Sequence, residues 1–142
     1  MTVSVVTVSY NAESTIEDAV RSVVEQKGPF QLDYHIVDGG SSDGTTQRIG
    51  PFANRITQVT SAPDNGLYDA MNRGVARSTG DIIGILNADD RYADNRVISD
   101  VLDTFESTDA DGVYADLDYV DANDGETIIR RWKSGHPRPF SR

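Results

Sequence analysis

The segment VSVVTV, residues 3–8, is apolar or β-branched at nearly every position, so as a strand it has no face that can be left in water. It has to lie inside a sheet covered on both sides. The next segment supplies a cover: Ile16, Ala19, Val20, Val23 and Val24 recur at i, i+3, i+4, i+7 and i+8, one apolar stripe of a helix. Ser14 and Glu17 have the spacing of a capping box at its start. The alternation then repeats. LDYHIVD predicts a second strand, GGSSDGT a turn, and the residues after Asp43 a short helix broken at Gly50 and Pro51. RITQVT predicts a third strand, and LYDAMNRGVARS a helix with Tyr68, Met71, Val75 and Ala76 on one side. DIIGIL predicts a fourth, buried strand and NRVISDVLDTF a helix; DGVYADLDYV and ETIIRRW predict two more strands.

Strands that alternate with helices imply βαβ units. The expected fold is therefore α/β, a Rossmann-like, doubly wound, mainly parallel sheet with helices on both faces. Ligands of such sheets sit beyond the carboxyl ends of the strands, which gathers four polar clusters on one edge: residues 7–11, 38–45, 61–66 and 87–92.

Composition removes several alternatives. A chain of 142 residues can bury roughly 68–70% of its unfolded surface, enough for one domain with a real core. It has no cysteine, so disulfide frameworks and zinc-thiolate sites are out. The net charge of −10 argues against nucleic acid as a partner, because neutralising phosphates needs clustered Lys and Arg. The acids are concentrated: residues 81–126 hold 14 acids and 2 bases, whereas residues 127–142 hold 5 bases and no acid. No apolar run approaches the roughly 20 residues of a transmembrane segment, and the first residues lack the pattern of a signal peptide. A soluble, cytoplasmic protein is the expectation, with peripheral association at the inner membrane face as the variant.

The fourth strand runs straight into Asn87, Ala88, Asp89 and Asp90. Two adjacent carboxylates repel each other, so water, a basic side chain or a metal ion has to neutralise them. Residues two apart point the same way in extended chain, so Asn87 and Asp89 can address one point. Oxygen ligands without His or Cys suit magnesium or manganese, held together with the phosphates of a substrate. The plain alternative for Asp90 is a helix cap or a pair with Arg91. In IVDGGSSDGT, Asp38 ends a strand and could accept from the N–H of a base, while glycines let the chain pass close to a ligand. No GxGxxG or GxxxxGK[ST] fingerprint occurs. Gly74, inside a helix, marks either close packing on the sheet or an approach of Asn72 and its neighbours to the cleft. His35 and His136 are isolated, and an ordinary structural role suits His35 best.

Taken in order, VTVSYN, IVDGGSSDGT, PDNGLYDAMNRG, TGDIIGILNADDRY and VYADLDYVD resemble the nucleotide-sugar half of family 2 glycosyltransferases of the GT-A fold, bacterial polysaccharide enzymes in particular. The resemblance spans nearly the whole chain. It implies that NADD is the DXD-type motif, with Asn87 in the first acidic position and Asp89 as ligand of Mn2+ or Mg2+. It implies that Asp38 reads the base of UDP, that Thr7, Val8, Ser9 and Tyr10 line the uridine pocket, and that Asn72 and Gly74 lie near the ribose and phosphates, with Asn87 and Ala88 beside them. The implied activity is transfer of a sugar, with inversion, from a UDP-sugar or related nucleotide-sugar donor to a sugar or lipid-linked acceptor. Residues 1–126 would form the donor-binding domain, and the basic residues 127–142 the start of a truncated acceptor half. That surface, with Trp132, Pro137, Pro139 and Phe140, would favour self-association. Asp116, at the end of VYAD, is the candidate general base. Two rivals stand beside this: a non-catalytic nucleotide-sugar binding or interaction module, and a sugar nucleotidyltransferase. The latter would need a basic, glycine-rich loop after the first strand, which SYNAEST is not.

Overall fold

The computed structural model describes residues 1–135, so His136, Pro137, Pro139 and Phe140 lie outside the described residues. The chain divides into two compact units, Met1–Asp100 and Val101–Arg142. The first holds a four-stranded sheet made of β1 (Thr2–Ser9), β2 (Gln31–Asp38), β3 (Gln58–Ser61) and β4 (Ile82–Asn87), in the order β3-β2-β1-β4 and parallel throughout. Between the strands come α1 (Ile16–Val24), α2 (Thr45–Ile49) and α3 (Leu67–Val75). Gly50 and Pro51 do not end the helical path after α2; it continues as a 3-10 turn over Gly50–Arg55. The chain steps one way from β1 to β3 and then crosses back to β4. The switch point thus falls between β1 and β4.

β1 is buried along seven of its eight residues, as an apolar strand inside a two-sided sheet must be. One face carries Val6, Val8 and Val37, which pack with Ala70 of α3. α1 packs on β1 from the other face, with Ile16, Ala19, Val20, Val23 and Val24 all buried. The capping box at its start does not form: the N-cap is Thr15, no side chain caps the helix, and Glu17 instead pairs with Arg21 at 2.7 Å. The i,i+4 pair takes the carboxylate that the box would have used.

α3 corrects two expectations. Its buried residues are Ala70 and Gly74, while Tyr68 and Val75 are exposed. A Cβ on Gly74 would stand 2.2 Å from Val6 Cγ1. The helix therefore lies so close to β1 that only a glycine fits at 74; of the apolar residues expected on the inner side, Met71 packs against the core, while Tyr68 and Val75 turn outward. β4 is likewise not buried throughout, since Ile83 and Ile85 are 42% and 46% exposed. It is a sheet edge, and α3 covers β1 and β2.

A polar cluster is buried at the opposite end of the strands from the cleft described below. Asp33 accepts hydrogen bonds from Ser4 Oγ (2.7 Å), Thr79 N and Thr79 Oγ1 (both 3.0 Å), and Ser4 Oγ accepts from Gly80 N. His35 is buried, with Nε2 2.8 Å from Asp33 Oδ1. This is a structural role, not a ligand role. Burial pushes the Asp33 carboxyl up, but the bonds from Ser4, Thr79 and His35 outweigh it and hold the carboxyl well below the usual range.

α4 (Val97–Ser107) is followed by a two-stranded antiparallel ribbon, β5 (Leu117–Val120) and β6 (Ile128–Trp132), in the second unit. The strand expected over 111–120 is shorter at its start: residues 113–116 take no regular structure, and Asp116 precedes β5. Arg130 stacks over the rings of Tyr119 and Trp132, at 5.7 and 5.1 Å.

Two stability measurements follow. Gly74→Ala gains about 1 kcal/mol of helix propensity but forces a contact with a fully buried Val6, so urea unfolding should show a net loss of about 1–2 kcal/mol. Because the folded pKa of Asp33 is depressed, its stabilisation is complete above the ordinary Asp value of about 3.9 and is lost as pH falls through the folded value. The urea midpoint should decline below about pH 4, and Asp33→Asn should flatten that decline while lowering stability at pH 7.

Candidate functional site

Where the strands end, their last residues stand in register: Ser9 beside Asp38, Asp38 beside Ser61, and Val8 beside Asn87. Backbone bonds extend the ladders one residue further, from Gly39 N to Ser9 O (2.8 Å), Ala62 N to Asp38 O (3.0 Å) and Ala88 N to Val8 O (3.1 Å). The loops leaving this edge enclose a cleft of about 960 Å³, within the first unit. Val8, Ser9 and Tyr10 form one wall with Asn11 and Ala12. Gly39, Gly40, Pro63 and Asp64 form a second, and Asn87, Ala88 and Asp89 a third.

Six of the residues expected at the site therefore meet here: Val8, Ser9, Tyr10, Asn87, Ala88 and Asp89. Four others lie elsewhere. Thr7 is fully buried, with Oγ1 2.9 Å from the Tyr34 hydroxyl. Gly74 is buried against Val6, and Asn72 is exposed without lining the cleft. Asp38 is the fourth. It is fully buried, and its two oxygens take five donors: Ser9 Oγ (3.1 Å) and Ser41 Oγ on Oδ1, and Gly40 N (3.2 Å), Ser41 N (2.9 Å) and Ser61 Oγ (2.6 Å) on Oδ2. A carboxylate offers about four lone-pair sites, so the five donors occupy it, and a base N–H would reach it by displacing one of the serine hydroxyls. Burial raises its pKa and the bonds from Ser41, Ser61 and Ser9 more than offset that, holding it ionised below the ordinary range.

Another carboxylate faces the cleft. Asp64 accepts from Gly66 N on Oδ1 (2.8 Å), which turns the chain into α3. Its Oδ2 lies 2.9 Å from where a Cβ on Gly39 would be, and Tyr10 Cδ2 lies 3.3 Å from the same point. Only glycine at 39 lets the Tyr10 ring and the Asp64 carboxylate come this close to the backbone between them. The Tyr10 ring is 68% exposed. The sequence placed residues 61–66 at this edge, but PDNG looks like any turn, and only the approach of Gly39 marks Asp64.

At the third wall, Asp89 and Asp90 are exposed and, among the described residues, have no basic partner. Asn87 Nδ2 donates to Asp90 Oδ2 at 3.3 Å, and Asp90 N donates back to Asn87 O. Asp90 neither caps α4 nor pairs with an arginine. Its partial burial, and then the charge of Asp89, push its carboxyl above the usual value. Asn87 Oδ1 is buried without a hydrogen-bond partner. An orphaned amide oxygen beside an unneutralised carboxylate fits a hard divalent cation. Among the described residues no group of three or more His, Cys, Asp or Glu could hold a metal alone, so such an ion would draw its remaining ligands from a phosphate substrate. Asp116 belongs to the second unit, where its Oδ1 accepts from Ser134 N at 2.9 Å.

The chain is similar in sequence and fold to known proteins. An uncharacterized glycosyltransferase of Mycobacterium tuberculosis (strain H37Rv) is 32% identical over 102 residues, which are 72% of this chain and 39% of that protein. The chain thus spans about two fifths of the length of this relative. Among solved structures, S. aureus TarS (residues 1–349, in complex with UDP-GlcNAc) superposes with a TM-score of 0.70 at 22% identity, covering 78% of this chain and 33% of that one. The mannosyltransferase PcManGT of Pyrobaculum calidifontis, in complex with GDP-Man and Mn2+, gives 0.67 at 22% identity, covering 86% and 36%. At this identity the two structures establish the GT-A-like fold. The profile described as Glycosyl transferase family 2 matches residues 4–141, and with it the strand-end cleft acquires a family: this chain belongs to glycosyl transferase family 2.

Proposed function

We propose that the cleft binds the nucleoside diphosphate of a nucleotide-sugar donor, a UDP-sugar in preference, together with Mn2+ or Mg2+. The sugar would pass to a sugar or lipid-linked acceptor in polysaccharide or glycoconjugate synthesis, with inversion. One observation carries this: the exposed ring of Tyr10 and the carboxylate of Asp64 line the same cleft as Asn87, whose Oδ1 has no partner, and Asp89. A base stacked on Tyr10 gains contact with an exposed ring, and the Asp64 carboxylate can accept a base N–H. The diphosphate then lies toward Asp89. Binding it there without a cation would set like charges against each other, and a bound Mn2+ or Mg2+ would neutralise the departing diphosphate. The donor complexes of TarS and PcManGT support the assignment by likeness of fold.

The roles within the chain follow from position. Asp89 and the Asn87 oxygen hold the cation, and Tyr10 and Asp64 take the base. Asp38 acts from beneath by fixing the loop that carries Gly39 and Gly40. All cleft residues belong to Met1–Asp100, inside the donor-binding stretch 1–126. A general base for the acceptor hydroxyl would come from elsewhere, and Asp116 remains the candidate.

Calorimetry tests both ends of the site. UDP should bind about tenfold or more tighter in manganese than in EDTA; Asp89→Asn should erase that difference, and Asp90→Asn should reduce it less. Equal affinity in the two buffers would refute the metal assignment. At the other end, stacking is worth about 1–3 kcal/mol per base, so Tyr10→Ala should weaken UDP by about 5- to 100-fold and leave manganese pyrophosphate nearly unchanged, with Asp64→Asn acting in the same sense. Asp38→Asn should lower the affinity for both ligands alike, and thermal stability with them. A selective loss of UDP in Asp38→Asn would return base recognition to that residue.

A further inference from the structure

Tyr10 can serve as a stacking surface only if something holds it, since its side chain is largely in solvent. The residue after it is the one non-glycine among the described residues with a left-handed backbone, Asn11 at φ +48°. Asn11 binds the β2 loop twice. Its N–H donates to Ser41 Oγ at 2.8 Å, and its Oδ1 accepts from Ser42 N at 2.9 Å. Ser41 Oγ in turn donates to Asp38 Oδ1. A continuous chain of hydrogen bonds thus leads from the buried carboxylate at the end of β2, through one serine hydroxyl, to the backbone beside the exposed ring.

We propose that Asn11 is a positioning residue that sets Tyr10 for base stacking, by combining a backbone turn that asparagine tolerates with a side-chain bond that glycine cannot make. The inference rests on the donor-site assignment. Each half of the pair has a separate cause: most residues resist a left-handed φ, while asparagine and glycine adopt it with little strain, and of these two only asparagine carries an acceptor for Ser42 N–H. The neighbouring bonds, from Ala12 N to Thr45 Oγ1 and from Gly44 N to Glu13 Oε2, hold the helix side of the same loop and leave the Tyr10 side to Asn11. Asn11 would thereby affect affinity for the base without touching it.

Three variants separate the two halves. Asn11→Gly keeps the turn and loses the side-chain acceptor, Asn11→Asp keeps an acceptor in the same place, and Asn11→Ala loses both. Each would be titrated, in manganese, with UDP, GDP and inorganic pyrophosphate, beside a thermal melt. Expected is a loss of about 3- to 10-fold for the preferred nucleotide in Asn11→Gly, the worth of one hydrogen bond. Pyrophosphate affinity should stay within about twofold, recovery should be substantial in Asn11→Asp, and the largest loss should fall in Asn11→Ala. Unchanged nucleotide affinity in Asn11→Gly, or a parallel fall for pyrophosphate, would overturn the positioning role and leave the donor site standing. Failure of the wild-type chain to bind either nucleotide would overturn the donor site, and this inference with it.

Discussion

A buried carboxylate with five donors holds this cleft together. Asp38 closes β2, and the hydroxyls in register on either side, Ser9 of β1 and Ser61 of β3, both turn toward it. Ser41, in the loop beyond, adds its N–H and hydroxyl. An ionised group this deep would be costly without such partners. With them, the ends of three strands and the loop that follows become one rigid rim. Loops normally wander more than the elements they join, yet here the wall that bears Gly39 and Gly40 is tied to the sheet at its root. That carboxylate thereby braces the rim, and we place base recognition one layer further out, on Tyr10 and Asp64.

That outer layer works by contrast. On one side, Asp38 and Asp33 have every charge answered by hydroxyls and amides. On the other, Asp89 has no basic partner among the described residues and the Asn87 oxygen accepts no hydrogen bond, both in the wall of the cleft. Unsatisfied polar groups are rare in folded proteins, and they concentrate where a ligand completes them. Stability and the proposed binding are thus separated in space: the inner acids hold the sheet, and the outer ones lie where we propose a cation and a phosphate.

How much of this could be seen in the sequence depended on whether the cause was local. The apolar run of β1 and the stripe of α1 are local patterns, and both appear in the fold as expected. α3 was legible only in part: Met71 packs on the core as its spacing suggests, but the buried positions are the small Ala70 and Gly74, and the conspicuous Tyr68 and Val75 pointed to the wrong face. VYAD has a strand's composition, but the backbone there joins no ladder until Leu117. At the site, NADD could be found because its chemistry is compressed into four residues. The five donors around Asp38 could not, since two come from strands more than twenty residues away and three depend on how the loop after β2 turns back. Asp64 was hidden for the same reason: it meets Gly39 only after β2 and β3 are paired.

The crossing from β3 back to β4 has a consequence for how the protein acquires its site. β4 pairs with β1, so Val8 and Asn87, neighbours in the cleft, are brought together across most of the first unit's sequence. Such closures are entropically expensive and come late in folding. No partly formed sheet contains the cleft, because its walls come from the ends of strands that meet only when the last one docks. If the cleft binds nucleotide as we propose, a chain that captures it has finished folding its first unit, and occupancy reports on the whole sheet at once.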